Sequence, residues 1–335
     1  MKPNTFISKV RFLAIVCALA CAFSALARPV HHVTVGIAWQ PNPASYDRVV
    51  RSIEVAGATA VILPQLRAAA LDYDSDGRLA AEATDENGVL RQDLADWVKT
   101  NTYAGSQASE ALQGVDAVVF LGGGDISPTL FAQPQPWHGI EEDNNCNAER
   151  DISEYLTMAY CLDHDIPVLG LCRGMQMLAV VSGAPLIQDL GQYFAEQGKE
   201  YHYMHRMQRD EHGERHYTPH DVTVTDAPSI LSKIAGAPII HNVPSWHHQA
   251  CGDVTGTPLK VTGITETDGI NVIEAIERTD VSFALGVQFH PEEAVRMNLE
   301  GGDRVDSFMS FEEGLAYFRA LIATARDIAS FKSKF

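Results

Sequence analysis

Cysteine is scarce in this chain, with six in 335 residues, too few for a scaffold stapled by disulfides. Two of them fall in the apolar opening stretch, which leaves Cys146, Cys161, Cys172 and Cys251. Cys146 and Cys161 bracket "NAERDISEYLTMAY", whose apolar spacing predicts a helix. At about 1.5 Å per residue a helix sets them roughly 22 Å apart, well beyond the ~7 Å between Cα atoms that a disulfide spans. They are expected to stay unpaired. Basic residues are also short, 25 Lys and Arg against 43 Asp and Glu, which argues against nucleic acid and anionic membranes as partners. After the opening stretch no apolar run reaches the roughly 20 residues of a bilayer span. Internal repeats and low-complexity tracts are absent as well.

What is present begins with an export leader. Lys2, Lys9 and Arg11 supply a positive start, Phe12 to Phe23 is apolar apart from its cysteines, and Ala25-Leu26-Ala27 gives a small-x-small cleavage pattern. Cleavage is expected near Ala27, giving an exported, periplasmic or secreted protein with no membrane attachment. Ala18-Leu19-Ala20 before Cys21 leaves a lipoprotein variant open, although its leucine is one place off the usual position. Removal of residues 1–27 takes three basic residues and no acidic ones, so 43 acids face 22 bases, a formal charge of −21.

Residues 28–335 can bury a large core, as one enlarged domain or two small ones. "VTVGIAW" (33–39), "ATAVILP" (58–64), "VDAVVFLGGGD" (115–125) and "IPVLGLC" (166–172) read as strands, with "SYDRVVRSIEVAG" as a helix between the first two. Short continuous apolar runs alternating with helices predict a parallel sheet covered on both faces. From about 220, "HDVTVTD", "PLKVTGIT", "INVIEAIER" and "VSFALGVQFH" follow in quick succession, as antiparallel additions or a second small sheet. "FEEGLAYFRALIATARDIASF" closes the chain as an amphipathic helix with Leu315, Phe318, Leu321, Ile322 and Ala325 on one stripe. Residues 66–112, acidic and alanine-rich, read as an insertion. Within it "DYDSDG" (72–77) opens like a calcium loop, but the twelfth position is Ala83 where a bidentate acid belongs, so an acidic surface turn is expected. "YHYMHRMQRDEHGERHYTPH" (201–220) carries His202, His205, His212, His216 and His220. Its polarity and lack of cysteine favour a mobile, solvated loop near the site over a zinc centre.

Chemistry concentrates at three points. Gly170 and Gly174 flank Cys172 at the end of a predicted strand and the start of a predicted helix, the pattern of a nucleophile elbow. The helix N-terminus behind it favours the thiolate. A thiolate needs a histidine base and the base an orienting acid. "GVQFHPEEA" supplies His290 after an apolar strand and Glu292 two residues on, a spacing that faces both the same way in extended chain. "LGGGDISP" (121–128) frees backbone amides to approach a substrate oxygen, and with the amide of Arg173 it suits an oxyanion hole.

In this order the three pieces resemble the class I glutamine amidotransferase superfamily, and within it the γ-glutamyl-γ-aminobutyrate hydrolase branch of the γ-glutamyl hydrolase peptidases. "GGGDISP", the stretch from "ERDISEYL" through "GLCRGMQML" to "PLIQDL", "PSWHHQ" (244–249) and "GVQFHPE" carry the resemblance. It implies an α/β fold, a three-layer α/β/α sandwich with a mostly parallel central sheet of the flavodoxin-like kind. It also implies a triad of Cys172, His290 and Glu292, an oxyanion hole of Gly123, Gly124 and Arg173, and a glutamyl pocket lined by Gln176, Ser245, His247, His248 and Gln249. Arg150, Asp151 and Glu154 match the family too, and a helix-packing ion network accounts for them equally well. The implied substrate is a small γ-glutamyl compound, cleaved with neither metal nor organic cofactor. A homodimer is left open. The competing readings are a glutaminase or amidotransferase domain and a non-catalytic γ-glutamyl-binding protein of the same fold.

Overall fold

The computed structural model describes residues 31–138, 146–213, 216–301 and 304–332, and Val33–Phe335 form one compact unit. The expected leader and its cleavage point lie outside the described residues. Strand β1 (Thr34–Ile37) leads to helix α1 (Asp47–Val55) and β2 (Thr59–Ile62). Helix α2 (Gln92–Asn101), the single turn α3 (Ala108–Ala111), β3 (Ala117–Phe120) and α4 (Ala148–Asp163) follow. Then come β4 (Val168–Leu171), α5 (Arg173–Val181), β5 (Leu186–Ile187) and α6 (Leu190–Glu196). The last third holds β6 (Thr218–Val224), α7 (Ile230–Ala235), β7 (Ile239–Ser245), β8 (Ala250–Cys251), β9 (Leu259–Thr267), β10 (Ile270–Arg278) and β11 (Ala284–Val287). Helices α8 (Pro291–Glu300) and α9 (Phe311–Lys332) complete the described chain. None of these helices is long and apolar enough to cross a membrane.

All strands of the described residues join one sheet in the order β2-β1-β3-β4-β11-β10-β9-β6-β7, with β5 and β8 attached beside β10. The first five are parallel neighbours, and from β11 onward the pairing is antiparallel. The C-terminal strands therefore extend the parallel half, and there is no separate second sheet among the described residues. The continuous apolar runs have the expected cause, helices on both faces. On β3, Val118 and Phe120 enter a core with Leu156 of α4 and Leu178 of α5. Ala117 and Val119 enter the opposite core with Val49 of α1 and Phe318 of α9. All five stripe residues of α9 are buried.

Residues 66–112 belong to the first of these cores. Leu66, Leu90, Ala95, Val98 and Leu112 are buried in the same cluster as Phe120, and the amides of Leu66 and Leu90 donate to the hydroxyls of Ser153 and Ser127. "DYDSDG" is a surface turn closed from within. Asp74 accepts from the amides of Asp76 and Arg78, and these hold its carboxyl below the usual range.

Candidate active site

Three adjacent parallel strands, β3, β4 and β11, end side by side, and each delivers one part of the site. Carboxyl ends of strands in an open α/β sheet are the usual ligand crevice. The turn after β4 carries Cys172, whose φ of 49° and ψ of −103° place a non-glycine residue in a strained elbow. Its amide still donates to Val287 of β11 at 2.8 Å, so the strain is held by the sheet. The flanking glycines allow the helix to follow immediately. A Cβ on Gly170 would lie 2.5 Å from the Gly174 carbonyl, and one on Gly286 of β11 would meet Met175 at 2.8 Å. Helix α5 thus sits directly on bare backbone, with Cys172 at its N-terminus.

After β11 comes His290, the residue that caps α8, and Glu292 stands in the first turn of that helix. The His290 Nδ1 bonds Glu292 Oε1 at 2.7 Å. The pair is not in extended chain, as the spacing alone suggests. Pro291 at the first helical position, a favoured place for proline, turns the chain so that the carboxylate folds back under the ring. Burial alone would lower the His290 pKa, but the Tyr217 phenol, the Glu292 carboxylate and the Cys172 thiol raise it well above the ordinary value. Cys172 and His290 are each buried to all but a few per cent, 5% and 6% exposed.

Gly122, Gly123 and Gly124, following β3, line the same cavity of about 380 Å³ as Cys172, His290 and Glu292. Arg173, the first residue of α5, has an amide with no acceptor inside its helix. Its side chain turns away and ion-pairs with Asp151 and Glu154. Arg150 donates to Glu154 at 2.7 Å and to the carbonyls of Gly122 and Leu121 at 2.9 and 3.3 Å. The Arg150, Asp151, Glu154 group is a buried ion network. One end of it grips the glycine loop and the other the helix that starts at Cys172.

The residues expected to line a glutamyl pocket lie elsewhere. Gln176, Ser245, His247, His248 and Gln249 are all buried, and none is among the residues lining the cavity. Gln176 donates to the Gln249 carbonyl and to Gln288. Ser245 donates to the His205 carbonyl. His248 lies between Asp125 at 3.0 Å and Asp189 at 3.3 Å. Burial would lower its pKa, and the two carboxylates raise it to about 9. His247 faces Glu274. These side chains brace the site from behind.

The cavity wall comes instead from Ser45, Arg48, Val49, Leu121, Tyr217 and Trp246. Arg48 bonds the Tyr217 hydroxyl at 3.0 Å and Glu293 at 3.1 Å, and the Tyr217 ring stands edge-on to both His290 and Trp246. Gln288 donates to the Cys172 sulfur at 3.4 Å. Position within "GVQFHPE", two residues before His290, is the signal that marks Gln288. Arg48 carries no local signal. No wall residue comes from 66–112, whereas Tyr217 lies within the histidine-rich segment. That segment is not uniformly solvated, since His205 and His220 are buried.

A strand-end cysteine elbow, a histidine–glutamate pair and a glycine loop on one cavity are the parts that nucleophilic acyl transfer uses. The sequence profile of the Peptidase C26 family matches residues 98–292, a span that includes all three parts. The chain is 32% identical over 186 residues to protein NtpR of Enterococcus hirae, covering 55% of this chain and 70% of that protein. It is 30% identical over 189 residues to the gamma-glutamyl-gamma-aminobutyrate hydrolase of Escherichia coli O157:H7, covering 56% and 68%. Among solved structures, a Thermoplasma acidophilum protein named for GMP synthase shares the fold. It matches with a TM-score of 0.50 at 16% identity, over 90% of this chain and 98% of that one. The chain belongs to the Peptidase C26 family of glutamine amidotransferase-like proteins.

Proposed function

We propose that this protein is an exported cysteine hydrolase that cleaves the γ-glutamyl amide bond of small γ-glutamyl compounds. The observation that carries this reading is the meeting of Cys172, His290, Glu292 and the 122–124 glycines on one cavity. The Cys172 thiolate attacks the γ-carbonyl, and the amides of the glycine loop and of Arg173 receive the charge that builds on its oxygen. His290 gives its proton to the departing amine, leaving a γ-glutamyl thioester on Cys172. Water, deprotonated by His290, then attacks the thioester, releases glutamate and returns the sulfur as thiolate. Glu292 keeps the imidazole oriented and stabilises it when charged. Arg48, the cation of the cavity wall, suits the substrate's α-carboxylate.

Support for the substrate class comes from the gamma-glutamyl-gamma-aminobutyrate hydrolase relative and from Arg48, Tyr217 and Trp246 on the cavity wall. Purified mature protein is expected to release glutamate from γ-glutamyl-p-nitroanilide and γ-glutamyl-γ-aminobutyrate. Cys172→Ala is expected to lower the rate by more than about a thousand-fold. Ligand binding without turnover, equal in wild type and mutant across a γ-glutamyl panel, would establish a binding protein instead.

A further inference from the structure

Behind the cavity wall four side chains from distant parts of the chain converge. His205 lies between α6 and β6, His220 on β6, His247 just after β7, and Glu274 in the middle of β10. Their exposures are 0%, 5%, 4% and 0%. One ligand atom from each lies within 4.8 Å of all the others. None of the four lines the cavity that holds Cys172.

Their hydrogen bonding leaves these atoms unused. The Nδ1 of His247 bonds the Gln249 carbonyl at 2.8 Å, which makes Nδ1 the donor and leaves the lone pair on Nε2. The Nδ1 of His220 is 3.1 Å from the Thr265 hydroxyl, which itself donates to the Asp221 carbonyl, and 3.2 Å from that carbonyl, with the same result. Both Nε2 atoms face Glu274 Oε1, at 3.5 and 3.8 Å. His205 Nδ1 stands 2.9 Å from that oxygen, without the alignment of a hydrogen bond. Both nitrogens of His205, Nε2 of His220 and His247, and both oxygens of Glu274 lack a hydrogen-bond partner. Buried polar atoms are ordinarily paired, and a dry carboxylate facing imidazole lone pairs is costly.

We propose that His205, His220, His247 and Glu274 form a closed divalent-metal site, with zinc the ion it fits best. Three neutral imidazoles and one carboxylate are a tetrahedral nitrogen–oxygen donor set of the kind zinc takes. The carbonyls that hold Nδ1 of His220 and His247 are the outer partners that fix ligand histidines. Four protein ligands and no opening make the ion structural. It ties the 201–220 segment to β10 and to the 245–249 turn. Trp246 of that turn walls the cavity, and the Glu274 carbonyl accepts from the amide of Gln288, the residue whose side chain touches Cys172.

The test uses the full mature chain, untagged, dialysed against metal-free buffer and assayed by elemental mass spectrometry and thermal melting. About one zinc per chain is expected, with a fall of several degrees in Tm on chelation that Zn²⁺ reverses. Co²⁺ is expected to restore the Tm and give the intense visible bands of a tetrahedral site. Glu274→Gln and His220→Asn are expected to lose most of the metal, and Cys172→Ala to keep it. If the ligand variants do not fold, the chelation and cobalt results on the native chain decide. Metal far below one per chain, with a Tm indifferent to chelator and to Zn²⁺, Co²⁺, Ni²⁺ or Mn²⁺, overturns the proposal. So does loss of the metal in Cys172→Ala.

Discussion

Pro291 separates His290 from Glu292, yet the His290 Nδ1 is 2.7 Å from Glu292 Oε1, because the chain begins a helix at the proline and brings the carboxylate back beneath the ring. The imidazole and its carboxylate partner are thus positioned by one helix start, and the site's electrostatics follow from it.

Glu292→Gln keeps the shape and removes the charge. Its expected cost is about 10²–10⁴-fold in kcat with little change in KM, by analogy with neutralising the acid of other triads. Glu292 helps to raise the His290 pKa, so its loss lowers that pKa. The alkaline limb of the pH profile should move toward lower pH, as read from kcat/KM or from the pH dependence of Cys172 alkylation.

The same raised pKa links stability to pH. A histidine whose folded pKa exceeds its unfolded value of about 6.5 contributes fully below that value and loses the contribution as pH rises through the folded pKa. Denaturant titrations should show the largest advantage of wild type over His290→Gln in mildly acidic buffer, fading in alkali. An advantage that grows with pH would reverse the assignment.

Gly170→Ala tests the bare-backbone contact under α5. The added methyl has no room against the Gly174 carbonyl, and overpacking of this kind costs about 1–3 kcal/mol. The urea midpoint should fall accordingly. Activity should fall further than stability explains, since Cys172 moves with α5.

Arg150 holds the Leu121 and Gly122 carbonyls and pairs with the buried Glu154. Arg150→Ala leaves a buried carboxylate short of a partner, at a cost of about 3–5 kcal/mol. Arg150→Lys keeps the charge but cannot reach two carbonyls and a carboxylate in one plane. It should fold better than Arg150→Ala while still losing kcat.

Arg48→Gln removes the cation of the cavity wall. Charge-assisted hydrogen bonds are worth about 1.5–3 kcal/mol, which predicts a rise of about 10–100-fold in KM for a substrate bearing an α-carboxylate. The rise should vanish for a substrate with that carboxylate amidated.

Much of this was legible in the sequence where the cause is local. Continuous apolar runs announced β1 to β4, and the five-residue stripe of α9 was readable from its spacing. The glycines around Cys172 were readable as an elbow. Their packing role was not, because it depends on register, with Gly170 opposite Gly286 in β11 and Phe120 in β3. Their quick succession marked β6, β9 and β10 as strands but not the sheet they join, which pairing alone decides. The polarity of 201–220 concealed His205 and His220, which are buried against Glu274 of β10 and against each other. Arg48 meets Glu293 across 245 residues of sequence, a separation at which periodicity has nothing to say. Pro291 was a helix-start signal, and it outweighs the simple two-residue alternation expected for His290 and Glu292.

The ends of β3, β4 and β11 form the floor of the cavity, while Ser45, Arg48, Tyr217 and Trp246 form its rim. Floor residues are fixed by hydrogen-bonded neighbours and by helices pressed onto bare backbone, so they tolerate almost no change. Rim residues come from separate stretches of chain and take no part in the ladder beneath, although Arg48, Tyr217 and Trp246 touch one another in turn. Under the proposed function, the rim is where selection for a different amine would act, with Tyr217 the exception, since its phenol helps to raise the His290 pKa.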